Sequence, residues 1–259
     1  MWGFMAAQDT SPSLVGSLLA GNNLLSALRG SDLDMIRPHL RAVQAAAGTV
    51  LYEPGQIVQT VYFPCYRTVV SFLVPIEEGG AVEALLVGRE GAVGGIVSDG
   101  SLPSFARLVI QSGGDLLTLP LPVLDDCKRQ SRAIETLFAR YADCLVAQMF
   151  QTAACNAAHS IEQRTAKWIL AMIERTGARE VPLTQERLAS MLGVGRSYIS
   201  RVIGTFKRDG TLGVRRGHLL VKDEVRLRAR ACNCHDVVKQ HFHTVLKSVY
   251  PEPPPSDGG

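Results

Sequence analysis

The strongest constraint on the fold is a Gly193-Val194-Gly195 break between two short runs of helical period. Leu183 and Leu188 flank Thr184 with the spacing of a hydrophobic staple, so Thr184 reads as the N-cap of a helix of about two turns. Beyond the glycines, Ile199, Val202, Ile203 and Phe206 recur at three- and four-residue steps, which gives a second helix one apolar face. Two short helices joined by a glycine-containing turn form a helix-turn-helix. Thr211-Leu212-Gly213-Val214 and His218-Leu219-Leu220-Val221 then read as a β-hairpin with Arg215-Arg216-Gly217 at its tip. The hairpin makes the unit a winged helix-turn-helix.

The polar side of the second helix points to a ligand class. Arg196, Ser197, Ser200 and Arg201 lie away from the apolar stripe. The N-terminal half of such a helix is what enters a major groove. Arginine suits bidentate contact with guanine O6 and N7, and the Ser and Tyr hydroxyls suit phosphates. Charge agrees with this. The whole chain has a formal net charge of only +3, but residues 161–230 hold 15 Lys and Arg against 7 Asp and Glu. The remainder is mildly acidic, so one segment has the footprint of a module that faces a polyanion. The candidate contacts to double-stranded DNA are Thr184, Gln185, Arg196, Ser197, Tyr198, Ser200, Arg201, Arg215 and Arg216. The competing reading is a small helical core with a solvated basic face.

Upstream, the pattern changes twice. Residues 1–23 read as a flexible N-terminal arm, and 24–44 as one or two short helices. From about 45 to 124, short β-prone runs alternate with turns such as Pro54-Gly55 and Glu78-Gly79-Gly80, which suggests a sandwich or barrel-like roll. Ile134, Leu137, Phe138, Tyr141, Leu145 and Met149 mark one long helix over 130–158. Its apolar face is wide enough to need partners on more than one side: a core helix packed on the roll, or that plus a symmetric contact in a homodimer. Ser160 and Gln163 have capping-box spacing for the next helix, and Gly177 ends it. The expected class is α+β. The roll spans 24–129, the long helix 130–158, the winged helix-turn-helix 159–230, and a C-terminal helix with a disordered tail 231–259. That last helix is expected over the winged domain, with Val237, Val238, Phe242, Val245 and Leu246 packed.

Residues 183–222 resemble the winged helix of the Crp/Fnr family, bacterial transcription regulators related to the cyclic-AMP receptor protein, and Gly193 to Ile203 carry the most specific part. The order of roll, long helix and winged helix extends the resemblance over roughly 30–222. It implies a cyclic-nucleotide-binding-like jelly roll, a dimerisation helix over 130–158, a homodimer on a near-palindromic operator, and RNA polymerase as a further partner. By the family pattern Arg196, Ser197 and Arg201 would read bases, with Tyr198 and Ser200 nearby.

The roll departs from the cyclic-AMP-binding pattern. Where that pattern has a Gly-Glu pair, this chain reads Val93-Gly94-Gly95-Ile96, and its nearest later cation, Arg107, is displaced by about two positions. A cyclic nucleotide needs an acceptor for its ribose and a cation for its phosphate. Gly94, Gly95 and Arg107 are therefore candidates for a different, unknown effector, or else parts of a ligand-free roll. Cyclic-nucleotide response is the remaining alternative. The Fnr-type iron–sulfur site is absent, since no cysteine precedes Cys65.

Cys232, Cys234 and His235, followed by His241 and His243, are the remaining constellation. They could bind a metal or act as a thiol switch that gates DNA binding. The spacing is Cys-x-Cys rather than the usual Cys-x2–4-Cys, and a packed helix with histidines on its rim explains them as well. No cofactor is assigned. No catalytic or phosphate-loop motif is present, so an enzyme is not expected. The chain has neither a secretory signal nor a run of the ~20 apolar residues that a membrane helix needs, and the cytoplasm is the default.

Overall fold

The computed structural model describes residues 12–28, 30–77 and 79–247. Three short helices open the chain: α1 (Pro12–Leu19), α2 (Asn23–Ala27) and α3 (Ser31–Ile36), the last followed by a 3-10 turn over Arg37–His39. Seven strands follow: β1 (Arg41–Ala45), β2 (Val50–Tyr52), β3 (Thr60–Pro64), β4 (Val69–Pro75), β5 (Ala81–Val87), β6 (Arg107–Ser112) and β7 (Gly114–Pro120). They form two antiparallel sheets, ordered β1-β7-β3 and β2-β6-β4-β5. Val61, Phe63, Val70, Ile110, Leu117 and Leu119 fill the space between the sheets, all almost completely buried.

The expectation of a flexible arm over 1–23 is corrected for the residues described. Val15, Leu18 and Leu19 of α1 and Leu24 and Leu25 of α2 are buried in the roll's core. Asn22 fixes their position. It is fully buried, its side-chain amide donates to Pro64 O and Gly91 O, and its Oδ1 accepts from Leu25 N as the cap of α2. Burying five aliphatic side chains contributes far more than the weak helical propensity of so short a segment, at roughly 1.5–3 kcal/mol each. Residues 1–11 lie outside the described residues, as do Glu78 of the expected turn and the expected tail from 248 onward.

The chain leaves the roll through α4 (Leu121–Gln130) and the 27-residue α5 (Arg132–Ala158), capped by Ser131 Oγ. One side of α5 docks on the roll: Phe138 meets Phe63 edge to face at 6.4 Å, and Tyr141 OH donates to Ala92 O at 3.0 Å. Then come α6 (Ile161–Thr176), β8 (Glu180–Val181), α7 (Gln185–Leu192), α8 (Arg196–Arg208), β9 (Leu212–Arg215), β10 (His218–Val221), α9 (Glu224–Arg230) and α10 (Cys234–Leu246). The Ser160–Gln163 capping box forms in full, and Gly177 ends α6 in the left-handed region at φ 63°. Strand β8 joins the hairpin in a third sheet, ordered β8-β10-β9.

Helix α10 does not lie over the winged domain as expected. It runs along α5, where Phe242 meets Tyr141 edge to face at 6.3 Å and Leu246 is fully buried in the roll's core. The reason is the width of the apolar face of α5, which the roll covers on one side only. On the α5 side away from these contacts, Val146 is 39% exposed, Met149 44% and Phe150 72%.

Candidate nucleic-acid interface

The two helices of the motif are set by local chemistry. Thr184 Oγ1 accepts from Arg187 N and caps α7, and Leu183 and Leu188 are buried on either side of it. Gly193 stops α7 at φ 67°, and its N–H returns to Ala189 O and Ser190 O. A side chain there would be strained, so the glycine sets the turn. Ile199, Val202, Ile203 and Phe206 bury one face of α8 against α6 and α7. At roughly 1.5–3 kcal/mol per side chain, that burial fixes the roll of α8 about its axis. Its other face, with Arg196, Ser197, Ser200 and Arg201, is thereby turned to solvent.

Of the nine expected contact residues, Thr184, Gln185, Arg196, Arg215 and Arg216 line one groove, Ser200 and Arg201 line another along α8, and Ser197 and Tyr198 are exposed on α8. Thr184, Gln185 and Arg196 line a groove whose far wall is the wing, with Arg215, Arg216 and His218. Ser200 Oγ donates to Gln185 Oε1 at 2.9 Å and ties α8 to the start of α7. The Arg201 guanidinium lies 5.1 Å from the centre of the Tyr198 ring, which holds both side chains forward. Arg215 and His218 pair across the hairpin, and Gly217 turns it at φ 77°.

Sequence reasoning missed the continuation of this face. Gly204, Thr205 and Arg208 line a second groove with Ser200 and Arg201 along α8, and Arg208 donates to Thr205 Oγ1 at 3.1 Å. The signal was available: steps of three and four residues from Arg201 reach 204, 205 and 208.

Electrostatics divides the basic segment in two. On α9, Arg226, Arg228 and Arg230 are paired, with Asp223, Glu174 and Glu162 respectively, and Arg230 also bonds Asp209. Among the described residues, no carboxylate comes within ion-pair distance of Arg196, Arg201, Arg215 or Arg216. The uncompensated positive charge is therefore concentrated on α8 and the wing.

The roll touches the winged domain behind this face. Ser190 Oγ donates to Ala81 O, and beside this joint Gln148 Nε2 of the long helix α5 donates to Leu86 O. Arg175 Nε lies 2.8 Å from Glu90 Oε1. Burial is the largest single influence and raises the Glu90 carboxyl, but the Arg175 guanidinium and backbone hydrogen bonds at Glu90 and Gly88 together outweigh it and hold the group below its ordinary value. Glu83 accepts from Trp168 Nε1 at 2.7 Å and from Ser71 Oγ at 2.8 Å. There burial dominates and pushes the carboxyl up to about 7.

The three effector candidates are not gathered into one polar site. A Cβ on Gly94 would meet Thr60 O at 2.6 Å, and one on Gly95 would meet Leu121 at 2.8 Å, so close packing already explains both glycines. Arg107 is turned to Glu53, with Nε 2.7 Å from Oε2.

The cysteine constellation is rearranged relative to the sequence expectation. Cys232 and Cys234 lie beside Cys155 and His159 from the end of α5, whereas His235 points away, with Nε2 3.0 Å from Glu174 Oε2. All six cysteines are free thiols.

A β-roll, a long helix and a winged helix with an open cationic face define a DNA-binding regulator in architecture. Residues 163–230 match the Crp-like helix-turn-helix domain family. FixK2 from Bradyrhizobium japonicum is similar at a TM-score of 0.62 and 12% identity, over 74% of this chain and 96% of that one. A Crp/Fnr-family transcriptional regulator from Thermus thermophilus gives 0.59 at 21% identity, over 73% and 97%. The c-di-GMP-responsive global regulator CLP of Xanthomonas campestris gives 0.60 at 15%, over 74% and 98%. No curated protein sequence matches the chain significantly. This chain has the fold of the Crp/Fnr-type transcription regulators and carries a Crp-like helix-turn-helix domain.

Proposed function

We propose that the protein is a sequence-specific transcription regulator that binds a near-palindromic duplex site as a homodimer. The observation that carries this is the cluster of unpaired arginines on the exposed faces of α8 and the wing. Arg196 and Arg201 are the base readers, Ser197, Tyr198 and Ser200 set the register on phosphates, and Arg215 and Arg216 hold the flanking backbone. Thr184 and Gln185, at the start of α7, face the backbone from the opposite wall of the groove.

The second copy would pack on α5. Val146, Met149, Phe150, Ala153 and Ala157 follow one another at helical steps on the side that neither the roll nor α10 covers. Such a seam suits an isologous helix pair. Two recognition helices would then enter successive major grooves, with centres ~34 Å apart.

An effector-gated variant of this reading draws support from the joint between the domains. Glu83, Glu90 and Ala81 of the roll bond Trp168, Arg175 and Ser190 of the winged domain, so a change in the roll would reach α7 directly. The c-di-GMP response named for CLP belongs to that protein. The fold fits work in the cytoplasm beside RNA polymerase. No helix among the described residues is long and apolar enough to cross a membrane.

The decisive experiment is selection of bound duplexes from random DNA by the full chain, with and without candidate effectors. A palindromic consensus with half-sites one helical turn apart is expected. Recovery of unselected sequence, or of a single half-site, would overturn the reading.

A further inference from the structure

The end of α5, the connection from α9 to α10 and the first residue of α10 meet at four side chains with no assigned role. Cys155 lies in the last turn of α5, and His159, its C-cap, falls four residues on and therefore on the same side. Cys232 lies between α9 and α10, and Cys234 opens α10. The three sulfurs and one histidine ring nitrogen all lie within 4.8 Å of one another. Cys155 Sγ is 3.6 Å from Cys232 Sγ, and Cys234 Sγ is 3.5 Å from His159 Nδ1. With Zn–S near 2.3 Å and Zn–N near 2.0–2.1 Å, the edges of a tetrahedral site are about 3.8 Å between sulfurs and about 3.6 Å from sulfur to nitrogen. Two of the six edges already have these lengths. The cage suits a single ion, because a multi-iron cluster would need its sulfurs spread further apart.

The surroundings carry a second, independent indication. Lys167 Nζ is 3.4 Å from Cys155 Sγ, and Gln151 Nε2 donates to Cys234 Sγ at 3.1 Å. One cation and one amide donor face these thiols. A zinc ion held by three thiolates and a neutral histidine carries a net charge of −1, which suits a cation and an amide donor on its sulfurs. Donors on the coordinating sulfurs are the usual outer shell of such a site.

We propose that Cys155, His159, Cys232 and Cys234 form a Cys3His zinc site that staples the elbow between the long helix and the winged domain. Zinc displaces the three thiol protons, which leave to solvent, and no electron is transferred. The last ligand on α5, His159, is followed directly by Ser160, the cap of α6. An occupied site would therefore fix the joint through which the long helix holds the recognition helix. Its bearing on DNA rests on the regulator reading above; the site itself does not.

The test uses the full chain, purified under reducing conditions without chelator. Elemental analysis is expected to give about one zinc ion per chain, and cobalt exchanged into the site should show a thiolate charge-transfer band and the intense visible bands of a tetrahedral ion. Cys232→Ser and His159→Ala should lose the metal, Gln151→Ala should weaken it by about 10–100-fold, and His235→Ala and Cys65→Ser should keep it. Because a ligand variant could fail to fold, zinc-loaded and stripped wild type are also compared by mass-spectrometric mapping of alkylation. Zinc should protect Cys155, Cys232 and Cys234. Metal-free protein that shows no cobalt–thiolate band, or metal lost through His235→Ala alone, overturns the site. Duplex binding is measured on the same samples. Zinc without DNA binding would sink the regulator reading and spare the site, and DNA binding without zinc would do the reverse.

Discussion

The β-roll and the winged helix are built by the same burial of aliphatic side chains, yet they treat their polar groups in opposite ways. In the roll, three arginines are satisfied at home: Arg41 bonds the carbonyls of Pro38 and Leu40, Arg89 bonds Asn23 and Ala20 O, and Arg107 bonds Glu53. Its glycines at 94 and 95 are pressed against Thr60 and Leu121. In the winged domain the arginines of α9 are likewise paired, but Arg196, Arg215 and Arg216 stand on one open groove and Arg201 on a second one along α8. A fold can satisfy its cations internally, and the α9 arginines show that this domain does so wherever a carboxylate lies near. Leaving four together without one points outward, to phosphates and base edges.

The sharpest way to break this contrast is to separate the two copies of the proposed homodimer. Phe150→Asp would place a charge in the proposed α5 seam. It should give a monomer by sedimentation, with the roll and winged domain still folded by circular dichroism. A monomer engages one half-site, so affinity for the full palindrome should fall by about 100–10,000-fold, the usual gain from linking two sites. A variant that remains dimeric would show that the second copy packs elsewhere.

The next effect is on base reading. Arg196→Ala or Arg201→Ala should each cost ~1–3 kcal/mol on the selected site and relax preference at one base pair. A uniform loss over all sequences would demote these residues to backbone contacts. Arg215→Ala and Arg216→Ala should do what those two should not. They should weaken every duplex alike and lower the slope of log affinity against log salt by about 0.9 for each phosphate contact removed. An unchanged salt slope would remove the wing from the interface.

The two regions also differed in how far they could be read from sequence. The winged helix rests on local relations: Thr184 to Arg187, the Gly193 turn, and the four-residue steps of α8. All fall within 30 residues, and the structure forms each of them. In the roll, tertiary contacts decide. Arg41-Ala-Val-Gln-Ala contains good helix formers and reads as the end of a helix, yet it pairs with β7, Ala42 opposite Leu117. Sheet pairing and burial outweigh a helix propensity of at most a few tenths of a kcal/mol per residue. The α1 segment was hidden for a similar reason, since its helix is held by the roll rather than by its own sequence. The Cys155–Cys232 contact spans 77 positions, and no local pattern announces it. Only the four-residue step from Cys155 to His159 could have hinted that Cys232 and Cys234 had partners other than His235.

The smallest expected effect concerns the seam where the two regions meet, and it is one of sign. Burial raises Glu83 from its ordinary 4.5 to about 7, although Ser71, Trp168, Lys167 and Arg175 all pull it down. Arg187 on α7 faces the same group. Between those two values the folded chain keeps a proton that the unfolded chain has released. This carboxyl therefore makes stability fall as pH rises from about 4.5 to about 7, and adds no further dependence above that. Glu90, held down by Arg175, acts the other way: its contribution is present above its ordinary value and is lost as the pH drops through its lowered one. Glu83→Gln keeps an acceptor for Trp168 and removes the proton. The urea midpoint of the variant should lose the downward slope between pH 4.5 and 7, while the acid-side loss associated with Glu90 persists. If wild type and variant fall in parallel across that window, Glu83 is ionised in the folded chain, and the seam between roll and winged domain is wetter than its two hydrogen bonds imply.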